Sequence, residues 1–148
     1  MSNYIGFDEI AVRNEFMSKI SEIFANEYDL IGTEVSIISS IDQEASFPCC
    51  VVKIVNPVSN TKYDDSRGSF RKVKFSLECD LYSKELGKYS REDSVILLSQ
   101  ILIKGLINKY HTFVVTRNNS VPYRTDVKRR VVDFSCTYDV ETKIIYSN

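Results

Sequence analysis

Two stretches of the chain alternate between apolar and polar positions. In the first, Val73, Phe75, Leu77, Cys79 and Leu81 fall on one side and Lys72, Lys74, Ser76, Glu78 and Asp80 on the other. In the second, Val132, Phe134, Cys136, Tyr138 and Val140 alternate with Val131, Asp133, Ser135, Thr137 and Asp139. A period of two sustained this long predicts antiparallel strands over 70–82 and 128–141, with one face in a core and the other at a surface. Between them the period changes to that of a helix over 91–109, opened by a capping-box-like Ser90-x-x-Asp93. Its main stripe is Val95, Leu98, Ile101, Leu102 and Leu106; a second stripe, Ile96, Ile103 and Ile107, lies roughly 100° around the cylinder. One sheet face does not readily cover both stripes. The helix is therefore either deeply buried or packs its second stripe on a neighbouring subunit.

The same reading orders the rest of the chain. An amphipathic helix is expected from Phe7 to Tyr28, with Ile10, Phe16, Met17, Ile20, Ile23 and Phe24 on its buried stripe. After Gly32, Val35, Ile37 and Ile38 suggest a short strand, and 42–46 a polar turn. Phe47-Pro48 opens a strand from Cys49 to Val55, since a proline is tolerated where its missing N–H serves no ladder. Asn56-Pro57 ends it. A polar loop, Val58 to Phe70, carries Tyr63, Asp64, Asp65, Arg67 and Gly68; loops this long are often functional. Ser83 to Tyr89 connects the first long strand to the helix, and strands over 111–117 and 128–141 complete the chain, separated by Asn118-Asn119 and Val121-Pro122-Tyr123. The order is α-β-β-β-α-β-β: an α+β fold, a mainly antiparallel β-sheet flanked by two α-helices, in a single domain spanning 1–148.

Composition narrows this picture only modestly. A chain of 148 residues is long enough to bury roughly 68–70% of its unfolded surface. Hydrophobic residues at 43% and charged ones at 26% argue against disorder, and a net charge of −1 argues against a global nucleic-acid footprint. Cys49, Cys50, Cys79 and Cys136 all sit within apolar strand patterns, without the spacing of a zinc site. They read as buried reduced thiols, with Cys49 and Cys50 on opposite faces of one strand, a usage that fits a reducing cytoplasm. Asp8, Glu9, Arg13 and Glu15 interrupt any secretory segment at the start, and Ser99, Gln100 and Lys104 break the longest apolar run. The chain reads as soluble, with no membrane partner.

Candidate chemistry is sparse. The one histidine, His111, stands at a helix–strand junction with no orienting group near it in sequence, and reads as a cap or exposed residue rather than a catalyst. The five glycines are scattered singly and cradle no phosphate. Asp64-Asp65, Glu78-x-Asp80 and Asp126-x-Lys128 invite a metal-dependent nuclease reading. Glu78 and Asp80, however, are expected on the solvent face of a strand, and Asp126 lacks an acidic partner on a preceding hairpin; solvated charges are the preferred reading. Lys128-Arg129-Arg130 with Arg124 is the densest basic group, but only Lys128 and Arg130 share a strand face, so edge-strand protection outweighs phosphate contact. Tyr63, Tyr82, Tyr89, Tyr110 and Tyr123 gather at strand ends and loops, where tyrosines cap core edges or join interfaces. No cofactor is expected, and the order of elements points to a building block rather than an enzyme.

Several of these segments together resemble a known pattern. Phe47-Pro48-Cys49, the polar loop, Val73-x-Phe75-x-Leu77-x-x-x-Leu81-Tyr82-Ser83, a Lys/Gly-containing connection before an apolar helix, Asn118-Asn119 and the strand from Arg130 to Tyr138 are similar to the tail terminator, or tail completion, proteins of tailed bacteriophages. The resemblance covers about 47–140, and the first helix sits where that family places one. Lys109-Tyr110-His111 departs from it, since many relatives carry a glycine followed by an aromatic there, as does the charged 58–69 loop. The resemblance implies a virion protein of the tail's head-proximal end, a homo-oligomeric six-fold ring capping the tail tube. Its partners would be itself, the tail tube protein and the head-completion or connector protein, with genomic DNA passing through the lumen without specific binding. Candidate interface residues are Tyr63, Asp64, Asp65, Arg67, Tyr82, Lys84, Tyr89, Ile96, Ile103, Ile107, Tyr123 and Arg124. Another neck or head–tail connector protein is the alternative within that class; a nucleic-acid-binding module or a metal-dependent hydrolase are alternatives outside it.

Overall fold

The computed structural model of the chain describes residues 8–42, 45–59, 72–110, 113–139 and 144–146. Helix α1 (Glu9–Asn26) starts where Asp8 accepts a hydrogen bond from the Ala11 N–H at 3.0 Å, answering one of the orphan donors of a first turn. A one-turn helix α2 (Tyr28–Ile31) follows and is closed by Gly32 at φ 86°, a left-handed conformation that glycine adopts without a Cβ penalty. Next come strands β1 (Ser36–Ile38), β2 (Cys49–Ser59) and β3 (Lys72–Ser83), helix α3 (Arg91–Lys109), then β4 (Val114–Val121), β5 (Lys128–Asp139) and β6 (Ile144–Tyr146).

The six strands form one sheet in the order β1-β2-β3-β5-β4, with β6 pairing to β5. Among the described residues β1 and β2 run parallel, and the β2–β3, β3–β5, β4–β5 and β5–β6 pairs are antiparallel. The fold is α+β, as the alternation predicts. β2 runs further than expected. Asn56-Pro57 does not end it, because a bulge lifts both residues out of the ladder, with Asn56 at φ 54°, and pairing resumes at Val58 opposite Lys74. β4 begins later than expected: the Phe113 N–H bonds the Tyr110 carbonyl at 2.8 Å, and the Phe113 ring stacks on Tyr110 at 4.8 Å.

Helices α1 and α3 pack side by side on one face of the sheet. The main core there joins Phe16 and Ile20 of α1 and Leu98, Leu102 and Leu106 of α3 to Val52, Leu77, Leu81 and Phe134 of the sheet, all fully buried. Burying each of these side chains stabilises the fold by about 1.5–3 kcal/mol. Phe16 is the centre of an aromatic group, with ring centroids 6.2 Å from Phe75, 5.6 Å from Tyr110 and 5.8 Å from Phe113. Val12 takes the buried place the sequence pattern assigns to Ile10; Ile10 lies roughly 200° around the helix from Val12, faces away from the stripe and is 63% exposed.

A second, smaller cluster lies on the opposite face. Cys49, Val51, Tyr82 and Val127 are buried there, with Ile38, Ile41 and Phe47 packed on them. Its origin is topological: parallel strands need a connection that crosses the sheet, and the β1–β2 connection brings Ile41 and Phe47 across this face. This end of the sheet is therefore covered on both sides, and Asp80 and Val131, expected at the surface, are 1% and 0% exposed.

Candidate functional site

The covered end of the second face gathers the aromatic and arginine residues of three segments. Tyr82, near the end of β3, stands in register between Cys49 of β2 and Arg129 of β5. Its ring meets Tyr123 edge-on with centroids 4.8 Å apart and Phe47 at 6.4 Å, while the Arg129 guanidinium lies 5.7 Å from its centroid. Arg124 sits 5.4 Å from the Phe47 ring and 5.6 Å from that of Tyr123, and its Nε and Nη2 both donate to Asp126 at 3.1 Å. This fork of two hydrogen bonds raises Arg124 and holds the Asp126 carboxyl below its ordinary range, with Lys84 adding to the latter effect. Burial pushes the Tyr82 phenol up to about 12, with Arg129 opposing, so Tyr82 stays neutral.

Beneath this layer, Arg129 Nη2 donates to Asp80 Oδ2 at 2.8 Å. Burial works against the charge on Arg129, and the Asp80 carboxylate more than offsets it. Asp80 is thus a buried ion-pair partner, not the solvated charge the strand pattern suggests. Glu78, on the same face, is half-buried and pairs with Lys53 at 3.9 Å.

Of the residues singled out from sequence, the structure brings Tyr82, Tyr123 and Arg124 together, with Lys84 close by. Tyr89 lies at the next turn, in a bridge to Leu86, with Lys88 5.8 Å from its ring. Ile96, Ile103 and Ile107 are each half-buried on α3, so the second stripe is neither submerged nor free. Tyr63, Asp64, Asp65, Arg67 and His111 lie outside the described residues. Phe47, Asp80, Asp126 and Arg129 belong to the cluster but not to the interface candidates named from sequence, where Asp80, Asp126 and Arg129 figured only as charged groups. Arg129 had one signal, its place in a basic run; its pairing with a residue on β3 depends on a strand register the sequence does not state.

The exposed part of the cluster is Tyr123, 42% accessible, with the flanking Arg124 and Lys84. A second surface lies on the helix side, where a groove of about 440 Å³ between α1 and α3 is lined by Ile23, Leu30, Leu97, Ile101, Lys104 and Gly105. Leu30 is 49% exposed there, and Tyr28 on the same short helix is exposed to the same extent. The four cysteines are buried and free. Cys79 is pushed well up by its hydrogen bond with Cys50 and by burial, Cys136 up by burial, and Cys49 to about 12 by burial beside Cys50. A thiol that resists ionisation is a poor nucleophile. Among the described residues, no three His, Cys, Asp or Glu side chains come together in a way that holds a metal ion, and no helix is long and apolar enough to cross a membrane. The chain matches no family model, and no curated protein matches it.

Proposed function

We propose that the chain is a structural virion protein that caps the head-proximal end of a phage tail tube as a homo-oligomeric, six-fold ring and offers the joining surface to the head. Beyond the sequence resemblance, one structural observation carries this reading. Among the described residues, exposed apolar and aromatic side chains occur on both sides of the sheet, Leu30 in the helix groove and Tyr123 beside Tyr82 on the opposite face, with Tyr28, Ile10 and Val114 exposed as well. A heterologous ring needs two non-equivalent surfaces on a rigid body. Isoleucines 96, 103 and 107 would extend the helix-side surface, and Lys84, Tyr89 and Arg124 the other. The tube protein and the connector would meet the two ring faces, and DNA would pass through the lumen without specific contacts.

A nucleic-acid-binding role draws less support, because three arginines are already engaged within the chain. Arg124 bonds Asp126, Arg129 bonds Asp80, and Arg130 bonds Asn118 at 2.8 Å and Ser120 at 3.1 Å.

Electron microscopy of lysates from the parent phage carrying a stop codon in this gene tests the proposal. Filled heads beside unattached tails of overlong or uneven length are expected. Tails of normal length that still fail to join heads would assign the protein to the connector side of the neck, and normal virions would overturn the assembly role.

A further inference from the structure

The middle of the open sheet face carries a row of four charged residues in register: Lys53 of β2, Glu78 of β3, Asp133 of β5 and Arg117 of β4. Glu78 and Asp133 are direct cross-strand neighbours, an arrangement in which like charges repel. Asp80 follows Glu78 by two positions and shares its face. Its side chain is only 2% exposed, and while Oδ2 accepts from Arg129, Oδ1 is buried with no hydrogen-bond donor. Asp133 Oδ1 is buried without a donor as well. Orphaned buried acceptors are rare in folded proteins and call for a physical reason.

Two positions before Asp80, on the same face of β3, stands another carboxyl group, Glu78. Two carboxylates only accept, so a bond between them requires a proton on one. We propose that Glu78 is protonated in the folded protein and donates its hydrogen to Oδ1 of Asp80, so that the folded chain holds on this face a proton that the unfolded chain releases. The charged groups facing the pair from the described elements are Lys53 on β2, Asp133 and Arg129 on β5, and Arg117 on β4. Arg129 is engaged with Oδ2 of Asp80, and Lys53 reaches Glu78 only at 3.9 Å, where the ammonium offsets the crowding in part. Burial and the adjoining charge of Asp80 both push Glu78 above its ordinary value of 4.5, and burial does the same to Asp133 against the pull of Arg117.

The sign of the linkage follows. A proton bound more tightly by the folded state adds stability that is fully present below the unfolded-state value and is lost as pH rises through the folded one. Glu78→Gln keeps the shape of the side chain and supplies a permanent N–H donor to Asp80. Urea unfolding of both proteins between about pH 5 and about pH 8 isolates the effect in the difference between the two curves. The folding equilibrium of E78Q is expected to exceed that of the parent chain at the alkaline end, by about tenfold for each unit by which Glu78 is raised, and to converge with it toward the acid end. A flat difference, or a variant less stable at about pH 8, would overturn the proposal. Carbon NMR titration of the Glu78 carboxyl in the parent chain decides the matter independently of the variant: a midpoint above 4.5 supports the shared proton, and a midpoint at 4.5 excludes it.

Discussion

At the scale of single residues, the decisive positions are those whose surroundings invert the usual meaning of their type. Asp80 is a charged residue on the polar side of an alternating strand, yet it is 1% exposed and holds Arg129 at 2.8 Å. Removing one partner of a buried pair leaves the other charge uncompensated, which typically costs about 3–5 kcal/mol. The Arg129 side chain is 26% exposed and can recover some hydration. Asp80→Ala is therefore expected to destabilise the protein by about 3 kcal/mol, the lower end of that range. Chemical denaturation with an unchanged slope would register it; a loss within a few tenths of a kcal/mol would mean that the pair is solvated in solution. Tyr82, whose phenol burial drives up to about 12, is the aromatic counterpart: its ring takes contacts from Phe47, Tyr123 and Arg129 at once.

At the scale of elements, the contact between α1 and α3 sets the spacing of the two helices. A Cβ placed on Gly105 would lie 2.5 Å from Ile23 Cγ2 and under 3 Å from two further Ile23 atoms, so the helices approach more closely than any larger residue permits. In an isolated helix Gly→Ala gains about 1 kcal/mol. Here the overpacking cost of about 1–3 kcal/mol opposes that gain, because a β-branched isoleucine on a helix has little rotamer freedom with which to yield. Gly105→Ala is expected to lower the unfolding midpoint, and Ile23→Ala to relieve it. The double variant should show a favourable coupling of about 0.5–3 kcal/mol between the two positions in a thermodynamic cycle. Strict additivity would mean that the helices are not in contact. The start of α3 was legible at this scale: Ser90 accepts from the Asp93 N–H at 3.1 Å, as its S-x-x-D spacing implies, and Ser94 ties the preceding turn down by accepting from the Leu86 N–H at 3.0 Å.

At the scale of the whole molecule, the question is which surfaces remain for other chains. Ile96 and Ile107 on α3 are half-buried, while the main stripe of that helix is submerged. On the proposed ring, Ile96→Glu with Ile107→Glu should leave the monomer folded, since partly exposed helix positions tolerate charge. It should weaken self-association by about tenfold for every 1.4 kcal/mol of lost contact. Sedimentation over a range of concentrations would show the parent chain assembling and the variant remaining a monomer; equal assembly of the two would remove this stripe from the interface.

The alternation of apolar and polar residues determined the α+β class, the two long strands, helix 91–109 and the face on which the main core residues of those strands lie, because period and capping are local properties that backbone geometry enforces along any stretch of chain. It missed the bulge at Asn56-Pro57, the one-turn helix after α1 and the short β6, where the signal spans only a few residues or is cancelled by a proline. Tertiary structure alone decided what covers a face. The parallel pairing of β1 with β2 sends its connection across the open side of the sheet and converts Asp80 and Val131 from surface to interior. The strand register then sets Arg129 beside Tyr82, and Glu78 beside Asp80 and opposite Asp133. Those juxtapositions join residues dozens of positions apart, and a local pattern carries no information about which strand will lie next to which.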